Sequence, residues 1–166
     1  MSVDVTCLLL QDDQRLTIAF ADVSEAIAAG KGLVWLELND PDKPTLDLLQ
    51  EELNLHELAV EDALSAHQRP KVEDYAGGLF VVLRTARLWD GAIEYGETHV
   101  FCGAGYLAII RHDTGPGYER VLKRLQATGK PLSVGRAHYT LLDCFLDELR
   151  PLSARVEDRE ADIEAA

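Results

Sequence analysis

The stretch HELAVEDALSAHQRPKVEDY, His56 to Tyr75, places two adjacent carboxylates, Glu61 and Asp62, inside an apolar pattern of helical period, then breaks off at HQRPK. Neighbours on a helix stand about 100° apart, so the two cannot readily clasp one ion between them. They suit two neighbouring ions, or a site completed across an interface. His67 follows about a turn and a half later. Asp143 and Asp147 are four residues apart in LLDCFLDEL and share one helix face. Asp143 sits among apolar residues, an expensive place for an unpaired charge. Clusters of oxygen ligands favour hard cations such as Mg2+ over zinc. The plain alternative is a set of solvated acids and one hydrogen-bonded core aspartate.

Other chemistries find little support. The five histidines form no HxH or HxxxH pair, which argues against a histidine-rich zinc or copper site. His99, inside a strand pattern, reads as a hydrogen-bonded core or surface residue. Cys7, Cys102 and Cys144 lie in apolar stretches without CxxC spacing, as buried free thiols do. GAGY and TGPGY are turn glycines, since neither GxGxxG nor GxxxxGK[ST] occurs. GxSxG and HExxH are absent as well.

The elements that must position these residues can be read from periodicity. VTCLLLQ and RLTIAF form a strand pair, VSEAIAAG a short helix closed by Gly30, and LVWLELN a strong strand. Pro44 opens a helix carrying Leu46, Leu49 and Leu53. A second helix, from about Leu55 to Ala66, bears Glu61 and Asp62 and stops near Pro70. GGLFVVLRTARLW and GETHVFCGAGYLAIIRH are expected as two long strands joined around DGAIEYGE. YERVLKRLQATGK is an amphipathic helix ending at Gly129. From about Arg136 the pattern is helical to the last residue, with Leu142, Phe145, Leu149, Leu152, Val156 and Ile163 at heptad-like spacing and Arg159 in the polar slot. Pro151 should kink or divide that helix. EDREADIEAA carries no stop signal, so the chain reads as a fragment cut within a long helix.

Bulk composition sets the frame. The 166 residues suffice for one domain with a real core, and 29 Asp+Glu against 16 Lys+Arg give a formal net charge of -13. Such a field repels nucleic acid and anionic membrane surfaces and attracts cations. Neither a secretory signal nor an apolar run of about 20 residues is visible, so the chain as given reads as soluble and cytoplasmic.

LNLHELAVEDALSAHQRPKVEDYAGGLFVVLRT closely resembles the cytoplasmic domain of CorA-type magnesium transporters, in which an ED pair leads through HQRPK to a hydrophobic-VLR strand. AHYTLLDCFLDELRPLSARVEDREADIE is similar to a later helix of that family, and LVWLELND to one of its strands. Glu57 stands where the family usually has proline, and Arg150-Pro151 where it has helix formers. The resemblance implies an α/β/α sandwich with a mixed, largely antiparallel sheet. Residues 1–135 would form the regulatory domain, and 136–166 would begin the long helical region. Membrane helices and a Gly-Met-Asn pore motif would follow Ala166. The whole protein would be a pentameric Mg2+ channel of the inner membrane, with Co2+ or Ni2+ as further cargo. This part would be its cytoplasmic sensor and not an enzyme. By the same resemblance Glu61, Asp62, His67 and Asp143 would line regulatory Mg2+ sites between neighbouring subunits. The alternatives are a ZntB-like zinc transporter, a metal-dependent hydrolase built on Asp143 and Asp147, and an acidic scaffold without metal.

Overall fold

The computed structural model describes residues 4–113, 118–127 and 129–164, of which 113 and 157–164 by backbone alone. Among them run strands β1 (Asp4–Gln11), β2 (Gln14–Thr17), β3 (Leu33–Asn39), β4 (Lys71–Tyr75), β5 (Gly78–Trp89), β6 (Ala92–Gly103) and β7 (Tyr106–Asp113). The helices are α1 (Val23–Ala29), α2 (Lys43–Leu53), α3 (Glu57–Leu64), α4 (Tyr118–Ala127) and α5 (Val134–Glu164). The strands form one sheet in the order β2-β1-β3-β7-β6-β5-β4. β3 and β7 pair in parallel, and the other described pairings are antiparallel.

Helices cover both faces. Val23, Leu46, Leu49, Leu53, Ala59, Val60 and Ala63 of α1, α2 and α3 pack on Leu36, Leu38, Phe80, Phe101 and Ile110. On the other face Tyr118, Val121, Leu122 and Leu125 of α4 join Ala137, Leu141, Cys144 and Phe145 of α5 over Trp35, Val100, Leu107 and Ile109. The fold is thus the mixed α/β/α sandwich expected. β3 is buried on both faces because its neighbours β1 and β7 carry helices above and below it, and its almost unbroken apolar run follows from that. All three thiols are free and buried, and burial pushes Cys7 up to about 11 and Cys102 up to about 12.

Local chemistry moves several boundaries. β2 ends at Thr17, and Phe20–Asp22 is a 3-10 turn rather than strand. DGAIEYGE is not a connector: β5 and β6 meet at Asp90-Gly91, whose positive φ values (44° and 77°) make a two-residue turn. The expected second long strand breaks at Ala104-Gly105 into β6 and β7, with Gly105 at φ 83°. TGPG lies outside the described residues. α3 is shorter than expected. Asn54 ends α2 in the left-handed region, and His56 caps α3, its Nδ1 accepting from Leu58 N–H at 3.3 Å. Pro151 does not divide α5, which continues through it to Glu164. In the expected heptad Phe145 is buried, whereas Leu149 and Val156 are exposed. The side chains of Arg159 and Ile163 lie outside the described residues.

Candidate metal site

α3 presents its two acids differently. Its buried positions Ala59, Val60 and Ala63 turn toward the sheet. Glu61 is exposed and has no ion-pair or hydrogen-bond partner among the described residues. It looks into a cleft of about 430 Å³ between α2 and α3, lined also by Lys43, Asp47, Gln50 and Glu57. Three carboxylates thus share the cleft with one lysine, and that lysine already bonds Asp47 at 2.7 Å. Glu61 and its neighbours form an open, acid-lined wall.

Asp62, one residue on, is half-buried and engaged. Lys71 Nζ donates to its Oδ2 at 2.5 Å and lies 2.9 Å from Glu73, which in turn accepts from Tyr75 Oη. Asp62 first and Glu73 second raise the Lys71 pKa, and Lys71 holds the Glu73 carboxyl below its usual range. The ammonium therefore occupies the flank of Asp62 that a cation would seek. Lys71 is the last residue of HQRPK, so the motif supplies the counter-charge of its own acid pair.

His67 and Asp143 stand elsewhere. The His67 side chain is exposed on the turn after α3, whose backbone there takes φ 78°. Asp143 lies on α5, across the sheet from α3, and binds Arg124 Nη2 at 2.5 Å. Asp147 is held by Arg120 at 2.7 Å, Arg124 at 3.1 Å and Arg150 at 3.3 Å. The charge that was costly among apolar residues is paired with α4. One chain does not bring Asp143 to Glu61 and Asp62, and among the described residues no three His, Cys, Asp or Glu side chains converge on a common point.

Beneath α3 lies a buried polar row that sequence reasoning missed. Glu97, 2% exposed, accepts from the backbone N–H of His67 at 3.0 Å and of Gln68 at 3.1 Å. His99 Nε2 is 2.6 Å from the same carboxylate, and Arg84 Nη1 is 3.4 Å away. His112, opposite Glu97 in the β6–β7 ladder, donates from Nε2 to the Ala63 carbonyl at 2.9 Å, and its Nδ1 is 3.3 Å from Asp40. The rings of His99 and His112 meet edge-on at 5.0 Å. Burial works to raise the Glu97 carboxyl, but the bonds from His99 and the Gln68 amide outweigh it and hold it below the usual range. Burial depresses His99, against the pull of Glu97. The available signal was an acid two residues before a histidine in an apolar strand.

The profile of the family described as CorA-like Mg2+ transporter protein matches residues 30–166. The chain belongs to this family. It is 32% identical over 132 residues to YfjQ of Bacillus subtilis (strain 168), a metal ion transporter by name, covering 78% of this chain and 41% of YfjQ. The full-length CmaX structure superposes with a TM-score of 0.78 at 20% identity, over 98% of this chain and 50% of that one. The soluble domain of CorA from Methanocaldococcus jannaschii gives 0.66 at 18% identity, over 99% of this chain and 65% of that one. The CorA-like chain thus spans half or less of the length of YfjQ and CmaX. Membership in a transporter family replaces the hydrolase reading of Asp143 and Asp147, whose carboxylates are bound by arginines. Among the described residues no helix is long and apolar enough to cross a membrane.

Proposed function

We propose that this chain is the cytoplasmic, cation-sensing part of a CorA-like divalent-cation channel of the inner membrane. Glu61 and Asp62 would face regulatory Mg2+ between neighbouring subunits of a pentamer. The observation that carries the reading is the contrast on α3: Glu61 open on an acid-lined cleft, and Asp62 guarded by Lys71. Oxygen-only donors suit Mg2+, and among the described residues no three such side chains meet within one chain, so the ion would draw further ligands from water and from a neighbour. His67 and Asp143 can enter such a site only from the turn and from a different protomer surface, respectively.

Electrostatics supplies the mechanism. Like charges about 4 Å apart repel by roughly 4 kcal/mol at an effective dielectric near 20. Protomers with a net charge of -13 need counterions to pack closely. Bound Mg2+ would favour the closed, symmetric state, and its loss as cytoplasmic Mg2+ falls would let repulsion separate the domains and open the pore. Lys71 sets a threshold, because an ion approaching Asp62 must displace or share with an ammonium.

Flux through the full-length transporter in liposomes, read against internal Mg2+, tests this. Glu61→Gln and Asp62→Asn should each require about tenfold more Mg2+ for closure, the loss of about 1.4 kcal/mol of selective binding. Asp62→Lys should favour closure at lower Mg2+. Wild-type gating in all three would leave Glu61 as a solvated helix acid and Asp62 as a partner of Lys71 alone. Calorimetry with Mg2+ and Zn2+ on the same protein separates the magnesium reading from the ZntB-like one, which requires the tighter zinc response.

A further inference from the structure

We propose that Glu97 is a positioning residue for the acid-bearing segment: its buried carboxylate captures the backbone amides of His67 and Gln68 and so fixes the turn that leads from α3 to Lys71. The inference rests on the cation-sensing reading only for its consequence, not for the anchor. The geometry is specific. Each carboxylate oxygen takes one amide, His67 N–H on Oε2 and Gln68 N–H on Oε1. His99 Nε2 bonds Oε1 at 2.6 Å, and the Arg84 guanidinium lies 3.4 Å from Oε2 as an ion-pair neighbour. Two successive N–H groups aimed at one anion form a backbone concavity that binds negative charge, here filled by a side chain of the same molecule.

The anchor explains a strained residue. His67 holds φ 78°, which a side chain with a Cβ adopts at a cost and keeps only where its surroundings impose it. The captured amides impose it. Four residues later Lys71 enters β4 at the place where it reaches Asp62. His112 adds a second tie, from the sheet to the Ala63 carbonyl in the last turn of α3. Moving the 67–68 turn would move Lys71 relative to Asp62, and with it the charge presented beside Glu61. HQRPK is therefore held from beneath by a strand residue 26 to 30 positions later.

Hydrogen exchange by NMR on the 166-residue chain reads the anchor, and flux against internal Mg2+ in the full-length transporter reads its consequence. Glu97→Gln keeps the shape but turns one acceptor into an NH2 donor facing N–H groups. The His67 and Gln68 amides should then exchange about tenfold faster or more, while amides of β1 and α4 keep their protection. The Mg2+ needed for closure should shift at least about threefold. His67→Gly is the second variant. Glycine takes a positive φ unaided, so adding it to Glu97→Gln should recover part of the lost thermal midpoint. If Glu97→Gln does not fold, recovery of folding in the double variant supports the anchor, and continued failure overturns it. Unchanged exchange at the two amides overturns it whatever flux does. Faster exchange with unshifted Mg2+ dependence supports the anchor and counts against Glu61 and Asp62 as the sensor.

Discussion

Single side chains here are decided by what lies opposite them. Glu61 and Asp62 are neighbours in sequence, yet one meets solvent and the other an ammonium, because α3 rotates only Asp62 toward β4. Asp143, expected among the metal ligands, is within one chain a salt-bridge partner of α4. His99, expected as a hydrogen-bonded core or surface residue, is the core case, fully buried beside Glu97. Burial depresses its proton affinity in the folded chain, so the unfolded state takes up the proton first as pH falls below about 6.5. Stability is then fully present above that pH and declines below it, by up to about 1.4 kcal/mol per pH unit for one proton. His138, also depressed by burial, acts in the same direction. Urea midpoints measured at pH 7.5, 6.5 and 5.5 should fall in that order, and His99→Gln should flatten part of the decline. A flat wild-type profile would remove His99 from the account. Below about pH 4.5 the depressed carboxyl of Glu97 adds to the loss as it titrates.

Elements were legible where composition and period agreed. β3 spans the seven residues expected of LVWLELN, and α2 begins with Asp42 capping Thr45 just ahead of Pro44. Errors fell on turns. Asp90-Gly91 and Ala104-Gly105 each reverse the chain within two residues, a length that apolar periodicity passes over. Glycine positions test the register directly. A Cβ on Gly78 would run into the carbonyl of Cys102 on the paired strand, and a backbone carbonyl in a ladder cannot swing aside. Gly78→Ala should cost about 1–3 kcal/mol in chemical denaturation. Gly135→Ala, in the first turn of α5 with open space around it, should stabilise by up to about 1 kcal/mol. Equal midpoints for the two would mean that β5 and β6 pair in a different register.

At the scale of the whole molecule charge governs association. A net charge of -13 opposes contact between copies, and the cleft between α2 and α3 concentrates part of it. In sedimentation experiments the chain should stay monomeric at low ionic strength. Millimolar Mg2+ should promote weak self-association more than NaCl of the same ionic strength, because a divalent ion can bridge carboxylates whereas sodium only screens them. Equal effects of the two salts would reduce the acidic surface to a solubility device.

The sequence by itself determined the family, the alternation of helices and strands, the free thiols and the acid pair on α3, because these are properties of composition, local period and a contiguous motif. Only the tertiary structure decided which acids stay open. The pairing of Asp62 with Lys71, of Asp143 with Arg124, and of Glu97 with the amides of His67 and Gln68 spans 9, 19 and about 30 residues. Such pairings depend on strand register and on which face of the sheet each helix covers. No local pattern encodes either, since a shift of one residue in a strand sends the same side chain to the opposite layer.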